Sequence, residues 1–310
     1  MRHKEYPRRL LVGLAALVLS VAACAEREGG GTTIPGTAAQ TTTTIEPRTT
    51  TSPPSATTTS APMTGHIVYF LLEELDIEDG SPGPYLVPVY RESPASDGEA
   101  DAALRLLLEG PSEDEISGIP PISTAIPEGT SLLGVTVDGG SATIDLSGEF
   151  DDGGGSFGMF ARLAQVVYTA TGLADVDEVV FVVDGEEVTV FSAEGIELDR
   201  HQQRNDYYDL LPPIFVDSPA WGQPVISPLQ VQGLSNVFEA TSQVMLTDDD
   251  GLPLYEHPVI ATCGSGCWGD WHAEIPYTVD REQFGALIVW EVSAKDGSRN
   301  NIREYPIILD

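Results

Sequence analysis

The groups in this chain with the widest chemical range are its thiols. Among 310 residues there are three cysteines, Cys24, Cys263 and Cys267. The spacing Cys263-Gly-Ser-Gly-Cys267 closes a very small loop, and its glycines allow the tight bend. A disulfide is the favoured chemistry. A zinc site completed by His257 or His272 is the alternative, but structural zinc sites use paired cysteine spacings that are absent here, and no metal is expected. Asp248-Asp249-Asp250-Gly251 invites calcium. An EF-hand loop with glycine at its sixth position needs an acid at its first, and Leu246 stands there, so a hairpin turn is expected instead. Glu149, Asp151 and Asp152, beside the glycines 153–155, read as a solvated acidic loop. Beyond the N-terminal segment the histidines are His66, His201, His257 and His272. None sits in HExxH, and neither a GxSxG elbow nor a phosphate-binding glycine loop with lysine is present. A spatial triad leaves no such mark, so a hydrolase stays open as the least favoured reading. No catalytic residue or cofactor is expected. Trp268 and Trp271 are possible ligand-binding aromatics, although tryptophans in β-rich regions more often fill a core or its rim.

Cys24 has a different context. Arg2, Lys4, Arg8 and Arg9 precede a small and apolar run, and Val21-Ala22-Ala23 leads directly into the cysteine. A charged n-region, short h-region and small-residue cleavage site make residues 1–23 a signal segment, and the cysteine after it makes the segment resemble a bacterial lipoprotein signal. The run is shorter than the ~20 residues a spanning helix needs. The resemblance implies removal of residues 1–23, acylation of Cys24 and attachment to the outer face of the cytoplasmic membrane, stable once two or more acyl chains insert. Lipidation also removes the odd thiol and leaves Cys263 and Cys267 in a compartment where disulfides persist.

The chain carries 15 Lys+Arg against 48 Asp+Glu, a formal net charge of −33. Loss of residues 1–23 makes the balance more acidic still and leaves Lys295 as the remaining lysine. Such a surface repels nucleic acid and anionic head groups, so no nucleic-acid partner is expected. Residues 24–64 lack hydrophobic periodicity and are rich in Thr and Pro, with Thr41 to Thr44, Thr57 to Thr59 and Pro53-Pro54. This composition does not bury enough apolar area to offset ordering entropy. It reads as a disordered stalk, about 35 Å in span as a coil and about 120 Å extended.

The elements that must position the remaining candidates begin at residue 65. Residues 65–200 alternate strand and helix patterns. His66 to Leu72 and Tyr85 to Tyr90 are strands, with Pro88 indicating an edge or bulge. Asp97 is the expected cap of a helix whose stripe is Ala100, Ala103, Leu104, Leu107 and Leu108, stopped by Gly110-Pro111. Leu133, Val135 and Val137, then Asp138-Gly139-Gly140, then Ala142, Ile144 and Leu146 predict a hairpin. Ser156 is the expected cap of a second helix, with Phe157, Phe160, Leu163, Ala164, Val167 and Thr171, ending at Gly172. Strands follow at Val179 to Val183 and Val188 to Phe191. The order ββα-ββα-ββ predicts an α+β domain with two helices on one face of a sheet. The stretches VYFL (68–71), LVPVYR (86–91), ALRLLLEGP (103–111), IPEGTSLLGVTVDGGSATIDLSGEF (126–150) and QVVYTATGL (165–173) resemble, in order and spacing, the GerMN domain of bacterial sporulation and spore-germination proteins.

A linker is expected over 201–213, around Leu210-Leu211-Pro212-Pro213. Residues 214–310 then show short β patterns: Ile214 to Val216, Leu229 to Val231, Val237 to Ala240, Val244 to Leu246, Ala273 to Ile275, Ala286 to Val292 and Ile302 to Ile308. Their spacing predicts an all-β sandwich. IFVDSPAWGQPVISPLQVQGLSNVFEA (214–240), and LTDDDGLPL (246–254) followed by Trp268 and Trp271, are similar to the immunoglobulin-like domain that follows GerMN. The Cys263–Cys267 loop departs from that pattern. Together the resemblances imply a non-enzymatic interaction or assembly module of the cell envelope, partnered by another envelope protein or by itself. Binding of a cell-wall glycan or small ligand through an aromatic patch is the alternative.

Overall fold

Apolar residues at strand spacing build the first domain, and two apolar stripes supply its helices. The computed structural model describes residues 62–73, 83–95 and 98–310. The expectations for the signal segment, for Cys24, for the Thr/Pro tract up to residue 61 and for Asp97 as a cap lie outside these residues. The order is β1 (Met63–Leu72), β2 (Tyr85–Pro94), α1 (Glu99–Leu108), α2 (Glu113–Ile116), β3 (Ile122–Ser123), β4 (Leu132–Asp138), β5 (Ser141–Leu146), α3 (Ser156–Ala170), β6 (Glu178–Val183), β7 (Glu186–Glu187), β8 (Val190–Phe191) and β9 (Ile196–Glu197).

β1 and β2 pair along their whole length, from Met63 opposite Pro94 to Leu72 opposite Tyr85. Met63 and Thr64, expected in the stalk, are therefore strand residues. β2 is the edge of a sheet ordered β2-β1-β3, which is where a strand tolerates Pro88. β4 and β5 form the expected hairpin, with Gly139 (φ 57°) and Gly140 (φ 89°) both left-handed in its two-residue turn, the geometry of a type I′ connection. β5 and β6 run parallel, with α3 as the crossover between them.

The α+β class is as expected, but the single sheet is three, the smallest a β8-β9 pair. Strands β4-β5-β6-β7 form a second sheet. The first sheet cannot extend into it because β3 pairs with β1 only at Leu71 and Leu72. Both helices bridge the gap, α1 against β1 and β4, α3 against β1, β6 and α1. The α1 stripe buries Ala103, Leu104 and Leu107. α3 is capped by Gly155, one residue before the expected Ser156, and is buried on nearly every side. Two of its polar side chains explain why. Thr169 Oγ1 accepts from the Tyr69 amide at 3.0 Å, and Gln165 Nε2 donates to the Tyr69 carbonyl at 3.0 Å. They satisfy β1 where β3 no longer reaches it, as buried backbone requires.

α2 was not foreseen. It starts at a capping box in which the Glu115 amide donates to Ser112 Oγ at 3.3 Å and the Ser112 amide to Glu115 Oε2 at 2.7 Å. The same carboxylate takes a bidentate bond from Arg91 of β2, 2.9 Å and 2.5 Å. Burial alone would raise the Glu115 carboxyl, but Arg91 and the Ser112 amide outweigh it and hold it below the usual carboxylate range. A depressed folded value stabilises the fold above the unfolded value of about 4.3 and is lost as pH falls through the folded one. Glu115→Gln should therefore cost about 1–2 kcal/mol at neutral pH. In urea titrations across pH, the difference from wild type should shrink towards zero on acidification below about pH 4. A difference independent of pH would show that the carboxylate charge is not what acts.

The second domain comprises β10 (Ile214–Ser218), β11 (Pro224–Val225), β12 (Leu229–Ser235), β13 (Thr241–Thr247), β14 (Pro253–Ile260), β15 (Gly269–Ile275), β16 (Gln283–Val292) and β17 (Arg299–Leu309). They form two sheets, β10-β12-β15 and β11-β17-β16-β13-β14. On β12, Leu229, Val231, Gly233 and Ser235 face inward, the alternation of a half-buried strand. Val237 to Ala240, expected as a strand, instead turns through a 3-10 segment, with Glu239 and Ala240 at φ 56° and Phe238 exposed. β14 was not foreseen because its face carries Glu256, His257 and two prolines. It is an edge strand, where an apolar alternation is not demanded.

Candidate functional site

The richest polar cluster lies where the two domains meet, on the segment expected as a linker. Arg204–Leu210 is a 3-10 helix whose Tyr207 and Leu210 are buried, as is Leu211 after it. Arg204 spends its whole fork here. Nε donates to Thr171 Oγ1 at 2.8 Å, Nη1 to Asp217 Oδ2 at 2.8 Å, and Nη2 to the Tyr168 carbonyl at 3.1 Å and Tyr69 Oη at 3.2 Å. Tyr69 of β1 donates its hydroxyl to Asp217 Oδ1 at 2.5 Å. The guanidinium also lies 5.3 Å from the Tyr69 ring centre and 4.8 Å from that of Tyr168, within cation–π range.

Burial first, and then Asp217, push the Tyr69 hydroxyl far above its ordinary value, so it remains a donor. Burial opposes the Arg204 cation, but Tyr69 and Asp217 more than offset it and hold its value above the usual one. These groups are engaged with one another. They act as a clasp between β1 and α3 on one side and β10 on the other. A backbone bridge reinforces it: the Trp221 amide donates to the Pro88 carbonyl, and the Tyr90 amide to the Trp221 carbonyl, both at 2.9 Å.

A Ser–His–carboxylate grouping does occur on the first domain. His201 Nδ1 pairs with Glu178 Oε1, and Ser141 Oγ lies 3.5 Å from the same nitrogen. A relay needs the acid on one ring nitrogen and the nucleophile on the other. Here both partners meet Nδ1, and the serine contact is at the limit of a hydrogen bond. This is an exposed imidazole–carboxylate contact rather than an activated nucleophile.

Cys263 and Cys267 are joined by a disulfide, with Cα atoms 5.9 Å apart. The Gly266 amide donates to Asn236 Oδ1 at 2.8 Å, seating the loop against the sandwich. Among the described residues no group of three His, Cys, Asp or Glu side chains is placed to hold a metal. The Asp248 turn joins β13 and β14, with Asp248 Oδ1 accepting from the Leu252 amide at 2.8 Å and the Asp250 amide at 3.1 Å. Arg162 holds the acidic loop before α3, donating to the Phe150, Asp152 and Gly153 carbonyls at 2.5, 3.1 and 3.2 Å.

The two tryptophans have different places. Trp271 is 3 % exposed. Its ring lies inside the sandwich across Gly233 and is not a surface platform. Trp268 is half-buried against Tyr208 of the connecting helix, ring centres 5.4 Å apart. Tyr208 lines an open cleft of about 450 Å³ together with Arg204, Asp217, Gln232, Asp270 and His272, and Trp271 also contributes to its wall. Nothing in sequence marked Tyr208, because its neighbours in the cleft come from β12 and β15.

The architecture defines the class: an α+β domain with helices packed on two sheets, followed by an immunoglobulin-like sandwich. Each of the two domains matches a family model. Residues 67–189 match the Germane family, described as sporulation and spore germination, and residues 213–298 match Gmad2, the immunoglobulin-like domain of bacterial spore germination. The tandem GerMN domains of the sporulation protein GerM from Bacillus subtilis align with 17% identity and a TM-score of 0.40 over 71% of this chain, which spans 63% of theirs. The first GerMN domain of GerM alone aligns with 19% identity and a TM-score of 0.34, over 46% of this chain and 99% of its own. No curated protein matches. Among the described residues no helix is long and apolar enough to cross a membrane.

Proposed function

We propose that this chain is a lipid-anchored, extracytoplasmic interaction module of the bacterial envelope, without enzymatic activity, serving sporulation or germination-type assembly. The observation that carries the reading is the clasp. The best-buried ionisable groups of the junction are consumed in holding two domains of the Germane–Gmad2 pair together, which presents a composite surface to a partner. The segment ending at Cys24 supports delivery to the outer face of the membrane, and the Thr/Pro tract supports a reach from it.

The test has two arms. In cells fed an alkyne-bearing palmitate analogue, the chain should take up label and sediment with membranes, and Cys24→Ala should lose the label and leave the pellet. Retained label in Cys24→Ala would refute anchoring at that residue. Crosslinking on intact cells should give a discrete adduct with an envelope protein or a second copy. Recovery of uncrosslinked monomer alone would count against an assembly role.

A further inference from the structure

We infer that the cleft beside Tyr208 is a binding site for an uncharged oligosaccharide. Register places its floor. Gln232 and His272 are directly opposite each other on β12 and β15, and Leu234 is opposite Asp270. Alternation puts all four on the outer face of the three-stranded sheet, away from the buried Val231, Gly233 and Trp271. Tyr208 stands at the edge of this block, braced from behind by Trp268.

The clasp residues next to it have their hydrogen-bonding capacity filled. These do not: among the described residues the Tyr208 hydroxyl and the side chains of Gln232, Asp270 and His272 make no hydrogen bond within the chain. Burial, then the nearby Asp270 carboxylate, raises the Tyr208 hydroxyl above its ordinary value, so it stays protonated as a donor. An amide, a carboxylate, an imidazole and a phenol therefore converge, unspent, on one cleft of about 450 Å³, a volume typical of small-ligand sites. Tyr208 also lines a second open cleft of about 390 Å³, with Gln203 and Asn205.

The chemistry selects the ligand. An aromatic face packs on the C–H face of a sugar ring, and planar amide, carboxylate and imidazole groups match vicinal hydroxyls. Sites built to bond hydroxyls discriminate strongly for them. A net charge of −33 disfavours polyanionic saccharides.

The test is calorimetric titration of the full chain in detergent with a neutral tetramer of N-acetylglucosamine, with cellotetraose and with a sulfated tetrasaccharide. The inference does not rest on membrane attachment or on an envelope partner, so its failure leaves the proposed function standing. At least one neutral probe should bind saturably at or below about 1 mM, and the sulfated probe should not. Gln232→Ala and Asp270→Ala should each weaken binding about tenfold or more, a change of about 1.4 kcal/mol. Gln230→Ala, one step along the same face, should leave it unchanged. Tyr208→Ala should abolish binding and Tyr208→Phe should retain most of it. Tyr208 also packs on Trp268, so the exposed Gln232 and Asp270 substitutions carry the test if Tyr208→Ala does not fold. Absence of saturable binding by both neutral probes, equal binding by these variants, or preference for the sulfated probe would overturn the inference.

Discussion

Replacing Asp217 with alanine is expected to destabilise the chain by about 3 kcal/mol, measured by urea unfolding of the full chain. The carboxylate accepts from the Tyr69 hydroxyl at 2.5 Å and from Arg204 Nη1 at 2.8 Å. Removing it leaves the Arg204 cation against two tyrosine rings with no counter-charge, and breaking one side of a buried pair costs more than the pair contributes intact. The Arg204 and Asp217 side chains keep 24% and 31% of their exposure, so water reduces the penalty and places it at the low end of the range for buried pairs. Arg204→Met keeps the apolar stem but removes four hydrogen bonds and leaves the Asp217 carboxylate without its counter-charge, so it should cost at least as much as Asp217→Ala. A cycle of Tyr69→Phe with Asp217→Asn should give a coupling of 1 kcal/mol or more in order of magnitude, because the two share a hydrogen bond. A loss below about 0.5 kcal/mol for Asp217→Ala would show that the junction is held by its backbone bridge alone.

Trp271→Ala is expected to cost about 4 kcal/mol, the range for removing a fully buried tryptophan, whereas the half-buried Trp268→Ala should cost about half of that. The difference separates a core ring from a surface one. Gly233 shows how tightly the core ring is held. A Cβ there would lie 2.2 Å from the Phe215 carbonyl oxygen and 2.5 Å from Trp271 Cζ2. Glycine at this position lets the indole cross β12, and Gly233→Ala should itself cost about 2–3 kcal/mol through overpacking. Equal losses for the two tryptophan variants in thermal unfolding would contradict the placement of Trp271 in the core.

Much of the fold was legible wherever one residue's chemistry settles a local choice. The Asp138-Gly139-Gly140 turn, the stop at Gly110-Pro111 and the Ala103, Leu104, Leu107 stripe follow from sterics and periodicity that act over a few residues. What was misread depends on distant chain. Val237 to Ala240 has strand-like residues, yet it turns because the Ala240 amide and Gly264 approach so closely that a Cβ on Gly264 would stand 2.8 Å away. α2 is too short for a stripe to appear, and its anchor, Arg91, lies on β2. The parallel β5–β6 pair breaks the apparent repeat of ββα units, because sheet order is set by how α3 crosses between strands.

The long elements of both domains, α1, α3, the β4–β5 hairpin and most strands, and the pairing of a GerMN-like domain with an immunoglobulin-like one, were legible in the sequence, since these follow from local propensity and from motifs that keep their spacing. Only packing between distant segments makes residues 201–213 a partly buried connector, brings Tyr69, Arg204 and Asp217 together, and sets Tyr208 on an open cleft while the Trp271 ring is buried. The reason is physical. Tyr69 and Asp217 are 148 residues apart, and a hydrogen bond over that separation exists only after packing has placed both groups out of bulk water. Nothing in either residue's neighbourhood along the chain records it.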